Sequence, residues 1–176
     1  MFEAIVLAGG KGTRLKSVSG EIPKPMVPVA GKPFIYWILE KLEAEGASKV
    51  ILAVGYNADY IIDAITKDNP VGIELEFVKE EEPLGTGGAL VNAAKSISSD
   101  HFLVLNGDSF IDINFLDFFE IGIGWQHDTA STHYWFGNEG CNRTRVFVGD
   151  LFVQNIGQAG RKCLFGLAAL AVAVIA

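Results

Sequence analysis

The chain has 176 residues, 49% of them apolar, with 14 basic and 21 acidic side chains and a net charge of −7. That is a one-domain length with enough apolar material for a core, and it excludes a disordered chain. The acidic balance argues against nonspecific binding to nucleic acid or to an anionic membrane surface, so neither is expected as a partner.

In chain order, residues 3–8 read as a first strand, apolar through Ala4, Ile5, Val6 and Leu7. Gly9-Gly10-Lys11-Gly12-Thr13-Arg14-Leu15 follows at the strand's carboxyl end. Lys24 stands between Pro23 and Pro25, ten residues after Arg14. A helix is predicted over 33–46, opened by Pro33 and closed by Gly46, with Ile35, Ile38, Leu39 and Leu42 on one face. An apolar strand over 49–54 and a short helix over 58–66 come next, the helix turning Ile61, Ile62 and Ile65 inward. Ile73, Leu75 and Phe77 alternate with polar residues, which marks a half-buried strand. An Ala-rich helix over 86–97 leads to a buried strand over 102–105 that ends in Asn106-Gly107-Asp108. Strands alternating with helices predict an α/β fold with a doubly wound, mostly parallel sheet and a ligand crevice at the strands' carboxyl ends.

The glycine run falls at one of those ends. Residues without Cβ atoms let backbone N–H groups approach an anion closely, and Lys11, Arg14 and Lys24 supply positive charge that an acidic chain otherwise lacks. The pattern points to a nucleoside triphosphate. It is not the dinucleotide fingerprint, because Leu15 stands where that motif's third glycine would be. Nor is it a Walker loop, because Lys11 is followed by Gly12 rather than Ser or Thr. A Gly-rich turn with solvated cations is the plain alternative.

With Pro23-Lys24-Pro25-Met26-Val27-Pro28-Val29, Lys32-Pro33-Phe34-Ile35, Val54-Gly55-Tyr56, Glu81-Glu82-Pro83-Leu84-Gly85-Thr86-Gly87-Gly88-Ala89 and Leu105-Asn106-Gly107-Asp108-Ser109, the glycine run resembles the sugar-1-phosphate nucleotidylyltransferases. The segment after Arg14, Lys16-Ser17-Val18-Ser19-Gly20-Glu21-Ile22, is similar to the D-glycero-D-manno-heptose 1-phosphate guanylyltransferase branch. The resemblance covers residues 1 to about 118 and implies a Rossmann-like nucleotidyltransferase fold, with nucleoside triphosphate and sugar 1-phosphate as substrates and Mg²⁺ as cofactor. Such a protein forms a nucleotide-activated sugar for surface polysaccharide and releases pyrophosphate.

The chemistry asks little covalent work of the protein. Two anions must be held in line and the charge on the leaving group neutralised. The resemblance implies that Arg14 holds the leaving pyrophosphate with Lys11 beside it, and that Lys24 bridges the α-phosphate and the sugar phosphate. Leu7, Ala8, Gly9, Gly10, Lys11, Gly12 and Thr13 would form the nucleotide loop. The base would lie over Gly85, Thr86 and the glycines after them. Glu80 falls where relatives often carry a glutamine against the base, and a carboxylate suits the adjacent N1–H and N2–H₂ donors of guanine. A solvated charge run through Glu80, Glu81 and Glu82 is its alternative. Asp108 would hold the Mg²⁺; an aspartate capping the next turn is the competing role. Tyr56 is placed either on the sugar side or in packing. The family's second metal-binding aspartate has one candidate, Asp150, in a context that does not match.

Residues 119–176 differ in character. They carry four basic and four acidic side chains, so the whole net charge sits in the first 118 residues. No sustained period of strand or helix is visible, and the end is oddly apolar, which makes this C-terminal part missing or aberrant relative to the family and suggests an out-of-frame stretch. The run 163–176 is too short for a bilayer-spanning helix of about 20 residues and reads as a buried or ill-fitting tail. His127, His133, Trp125 and Trp135 lie in this part, and His101 reads as a surface residue. The two cysteines, Cys141 and Cys163, make neither a disulfide framework nor a metal spacing, and no secretory signal precedes the first strand, so the expected location is cytoplasmic. Two other outcomes compete with a working enzyme: a catalytically dead nucleotide-binding remnant, and a regulatory subunit. A homo-oligomer is one assembly option.

Overall fold

The structure, a computed structural model, describes residues 1–10, 22–110 and 112–118, together with the backbone of 151–152, 161–162, 165–166 and 170–175. Strand β1 (Phe2–Leu7) is followed by a 3₁₀ turn (Lys24–Met26), a small hairpin of β2 (Pro28–Val29) and β3 (Lys32–Pro33), and helix α1 (Phe34–Ala44). Then come β4 (Ala47–Val54), α2 (Ala58–Lys67), β5 (Glu74–Lys79), α3 (Gly85–Ala93), a second 3₁₀ turn (Ala94–Ser96) and β6 (His101–Asn106). The remaining strands are β7 (Leu151–Phe152), β8 (Arg161–Lys162), β9 (Phe165–Gly166) and β10 (Leu170–Ile175).

Six strands form one sheet in the order β5-β4-β1-β6-β10-β8. The first four are parallel, and β10 runs antiparallel to both β6 and β8. Successive side chains of a strand point to opposite faces, so each strand feeds two cores. Ala4 and Val6 of β1, Val50, Leu52 and Val54 of β4, and Leu103 and Leu105 of β6 pack with α1 and α2. Ile5, Ile51, Ala53, Phe102 and Val104 face the other way, onto Ala89, Leu90 and Ala93 of α3. This is the doubly wound arrangement that the alternating pattern predicts. From β1 the chain winds outward to β4 and β5, then crosses the opposite face to β6 on the other side of β1. The crevice at that reversal is the usual ligand site of such sheets.

Sequence expectation and structure differ in places. The helix expected over 86–97 stops at Ala93 and tightens into a 3₁₀ turn, leaving Ile97 extended. The cause is Glu3, which is only 6% exposed and draws the next backbone N–H groups away from the helix. Its carboxylate accepts from Ser98 N (2.9 Å), Ser99 N (2.7 Å), Ser98 Oγ (2.8 Å) and Ser99 Oγ (2.5 Å). The hairpin β2–β3 has a turn of Ala30 (φ 51°) and Gly31 (φ 90°), and a left-handed alanine carries little sequence signal. The apolar end expected as a tail contributes β10, registered against β6 from Leu170↔Leu105 to Val174↔His101. Among the described residues no helix is long and apolar enough to cross a membrane.

Candidate functional site

Four strand ends meet at one edge of the sheet. Beyond β1, Ala8 N donates to Ala53 O at 2.8 Å, and Tyr56 N donates to Gly9 O at 3.2 Å, which ties the turn after β1 to that after β4. Gly107 N donates to Leu7 O at 2.8 Å and ties in β6, while Glu80 N donates to Val54 O at 2.9 Å and ties in β5. The approach is too close for side chains. A Cβ on Gly55 would lie 3.0 Å from Gly9 O and 3.2 Å from Gly9 Cα. A Cβ on Gly9 would lie 2.6 Å from Glu80 Oε1.

Glu80 therefore rests its carboxylate against the bare Gly9 backbone. Its other oxygen, Oε2, accepts from Leu84 N at 3.1 Å, closing the turn that leads into α3. Helix α3 begins at Gly85 (φ 67°) without a side-chain cap, and Gly85 and Thr86 of its first turn line the same cavity. The 3₁₀ turn that also lines the cleft is stiffened by Pro25 and anchored by Met26, both buried. Lys24 projects from that turn to Asp108, with Nζ 2.5 Å from Oδ2. Asp108 Oδ1 accepts from Ser109 Oγ at 3.1 Å.

The result is a cleft of about 700 Å³, the size of a small-molecule site. Of the residues singled out from the sequence, it brings together Leu7, Ala8, Gly9, Gly10, Lys24, Glu80, Gly85, Thr86 and Asp108. Lys11, Gly12, Thr13, Arg14 and Asp150 lie outside the described residues. Tyr56 lines the cleft instead of joining the core. Asn106, Gly55, Pro25 and Ala89 also line it and were not singled out as site residues. The signal for Asn106 and Gly55 was their position directly after the apolar runs expected as strands over 102–105 and 49–54, as Gly9 follows the first strand.

The chain is a doubly wound α/β protein with a glycine-lined cleft at the sheet's carboxyl edge, where Lys24 and Asp108 pair. Residues 3–132 match the Nucleotidyl transferase family, and the chain belongs to that family. It is 47% identical over 112 residues to the D-glycero-alpha-D-manno-heptose 1-phosphate guanylyltransferase of Campylobacter jejuni subsp. jejuni serotype O:2, covering 64% of this chain and 50% of that protein. It is 38% identical over 126 residues to the enzyme of the same name from Aneurinibacillus thermoaerophilus, covering 72% and 54%. The chain thus spans about half the length of the curated relatives it matches. Among solved structures it is similar to HddC from Yersinia pseudotuberculosis, with TM-score 0.66 and 38% identity over 99% of this chain and 73% of that one. HddC complexed with GMP-PN gives the same TM-score and identity, over 98% and 73%.

Proposed function

We propose that this chain transfers a nucleotidyl group from a nucleoside triphosphate, GTP by preference, to a sugar 1-phosphate, heptose 1-phosphate by preference, releasing pyrophosphate. The product would be a nucleotide-activated sugar for surface polysaccharide, made in the cytoplasm. One observation carries the reading: the glycine turn after β1, Lys24, Glu80 and Asp108 come from four separate segments and line a single cleft. The guanylyltransferase relatives and the GMP-PN complex of HddC support the choice of base and sugar.

In this reading the triphosphate lies over the Gly9–Gly10 turn, with Lys11 and Arg14 on the leaving pyrophosphate. Lys24, on its stiff turn, holds the sugar phosphate in line with the α-phosphorus and offsets charge there. Glu80, oriented by the Leu84 N–H, offers its carboxylate to the paired donors of guanine. A Mg²⁺ ion fits Asp108, a hard oxygen donor facing the cleft. When bound, such an ion supplies charge neutralisation on the polyphosphate.

A second reading is a nucleotide-binding protein without turnover. Pyrophosphate release from GTP, heptose 1-phosphate and Mg²⁺ separates the two. Release supports the transferase, whereas GTP binding without release supports the remnant.

A further inference from the structure

The proposed function gives Glu80 two donors of guanine, N1–H and N2–H₂. The third polar group on that edge of the base, the O6 acceptor, still needs a donor. We propose that the Tyr56 hydroxyl donates to O6 and completes the reading of the base. The inference rests on the proposed function and deepens it, by adding a specificity-determining residue on a second strand end.

Tyr56 and Glu80 line the same cleft, and both are built around Gly9. Tyr56 N donates to Gly9 O at 3.2 Å, while Glu80 Oε1 lies 2.6 Å from where a Gly9 Cβ would stand. The two side chains leave neighbouring strand ends, since β4 and β5 pair through Val54↔Lys79 and Glu80 N donates to Val54 O. The root of the ring is fixed. Ala58 N donates to Gly55 O at 3.1 Å and closes a tight turn, with Tyr56 and a left-handed Asn57 (φ 52°) at its centre. A half-buried phenol on so bonded a backbone loses little freedom on taking a partner. The chemistry points the same way. A carboxylate only accepts, so neither Glu80 nor its neighbours Glu81 and Glu82 can serve O6. Among the described cleft-lining residues from Gly55 to Thr86, side-chain donors occur at Tyr56 and Thr86. Thr86 is exposed and its hydroxyl has a one-carbon stem, so Tyr56 has the longer reach. Lys11 and Arg14, beyond Gly10, are donors that the functional reading commits to the polyphosphate, and the experiment separates them from Tyr56.

The test is calorimetric titration of the full chain with GTP and with 6-thioguanosine triphosphate, each with Mg²⁺. The analogue keeps N1–H and N2–H₂ but carries sulfur, a weak acceptor, in place of O6. Tyr56→Phe is expected to bind GTP about two- to tenfold more weakly than wild type, the range for one hydrogen bond. The same variant is expected to bind the analogue as wild type does. Lys11→Ala and Arg14→Ala are expected to weaken both nucleotides alike. Equal loss of both nucleotides in Tyr56→Phe would overturn the inference, because the ring would then only pack. A loss confined to GTP in Thr86→Val, Lys11→Ala or Arg14→Ala, with Tyr56→Phe unaffected, would overturn it by naming another donor. Failure of wild type to bind GTP would sink the functional reading and the role of Tyr56 together. GTP binding that Tyr56→Phe leaves unchanged would sink the role of Tyr56 alone.

Discussion

Replacing Glu3 tests how the sheet is tied at the end opposite the cleft. Its carboxylate carries four hydrogen bonds from Ser98 and Ser99, bridging the start of β1 to the segment before β6. Burial pushes its carboxyl up, but the Ser99 and Ser98 donors outweigh it and hold the group below the ordinary glutamate value of 4.5. Glu3→Ala strands the two backbone N–H groups. Ser98 is exposed enough for water to replace its bond, whereas Ser99 is only half-exposed. Hydrogen bonds to a charged group contribute about 1.5–3 kcal/mol each, so with that rehydration the loss is about 2–3 kcal/mol. For a chain of this size that is a fall in Tm of about 5–10 °C. Glu3→Gln keeps an acceptor for both N–H groups and loses the charge and the acceptor for Ser98 Oγ, about 1 kcal/mol. The pH dependence has a definite sign. A lowered folded pKa gives stability that is complete above the unfolded value near 4.5 and is lost as pH falls through the folded pKa. The gap between wild type and Glu3→Gln in urea or thermal melts should therefore be full at neutral pH and close below pH 4.5. A Glu3→Ala protein melting with wild type, or a gap that widens on acidification, would refute the reasoning.

Gly55→Ala should cost about 1–3 kcal/mol, because its Cβ meets Gly9 backbone that cannot move freely, and it should weaken GTP binding by spreading the turns apart. Gly10→Ala, whose Cβ would meet nothing within 4 Å, should leave the melt within about 0.5 kcal/mol of wild type, and calorimetry on both variants checks the contrast. Lys24→Ala should lower turnover by about 10²-fold or more while changing stability by about 1 kcal/mol at most, measured by pyrophosphate release and thermal melting. Glu80→Gln should lower the preference for GTP over ATP by about tenfold through loss of the charged acceptor, read from competition binding, with the Leu84 N–H still satisfied.

Much of the fold was legible because the central strands β1, β4 and β6 bury both faces. Strands such as Ala47–Val54 read as apolar runs, and α1 carries its apolar face at Ile35, Ile38, Leu39 and Leu42 between proline and glycine signals. The site was legible at Gly9, Lys24 and Asp108 for a related reason: a short polar or glycine motif directly follows an apolar strand or sits between prolines. What escaped notice depends on contacts distant in sequence. The break after Ala93 is set by a carboxylate 95 residues earlier than Ser98. The need for glycine at position 55 comes from Gly9 crossing it, and the Lys24–Asp108 pairing spans 84 residues. Strand β10 lies in a stretch whose local pattern gave no strand period, and its partner β6 supplies the ladder that defines it.

The central claim, that the cleft at the carboxyl edge cups the polyphosphate of a nucleotide, is tested most directly by calorimetric titration of the folded chain with GTP and Mg²⁺. The account predicts saturable one-site binding that Lys24→Ala and Gly55→Ala both weaken. Absence of binding heat with every common nucleoside triphosphate, or binding indifferent to both substitutions, would contradict it.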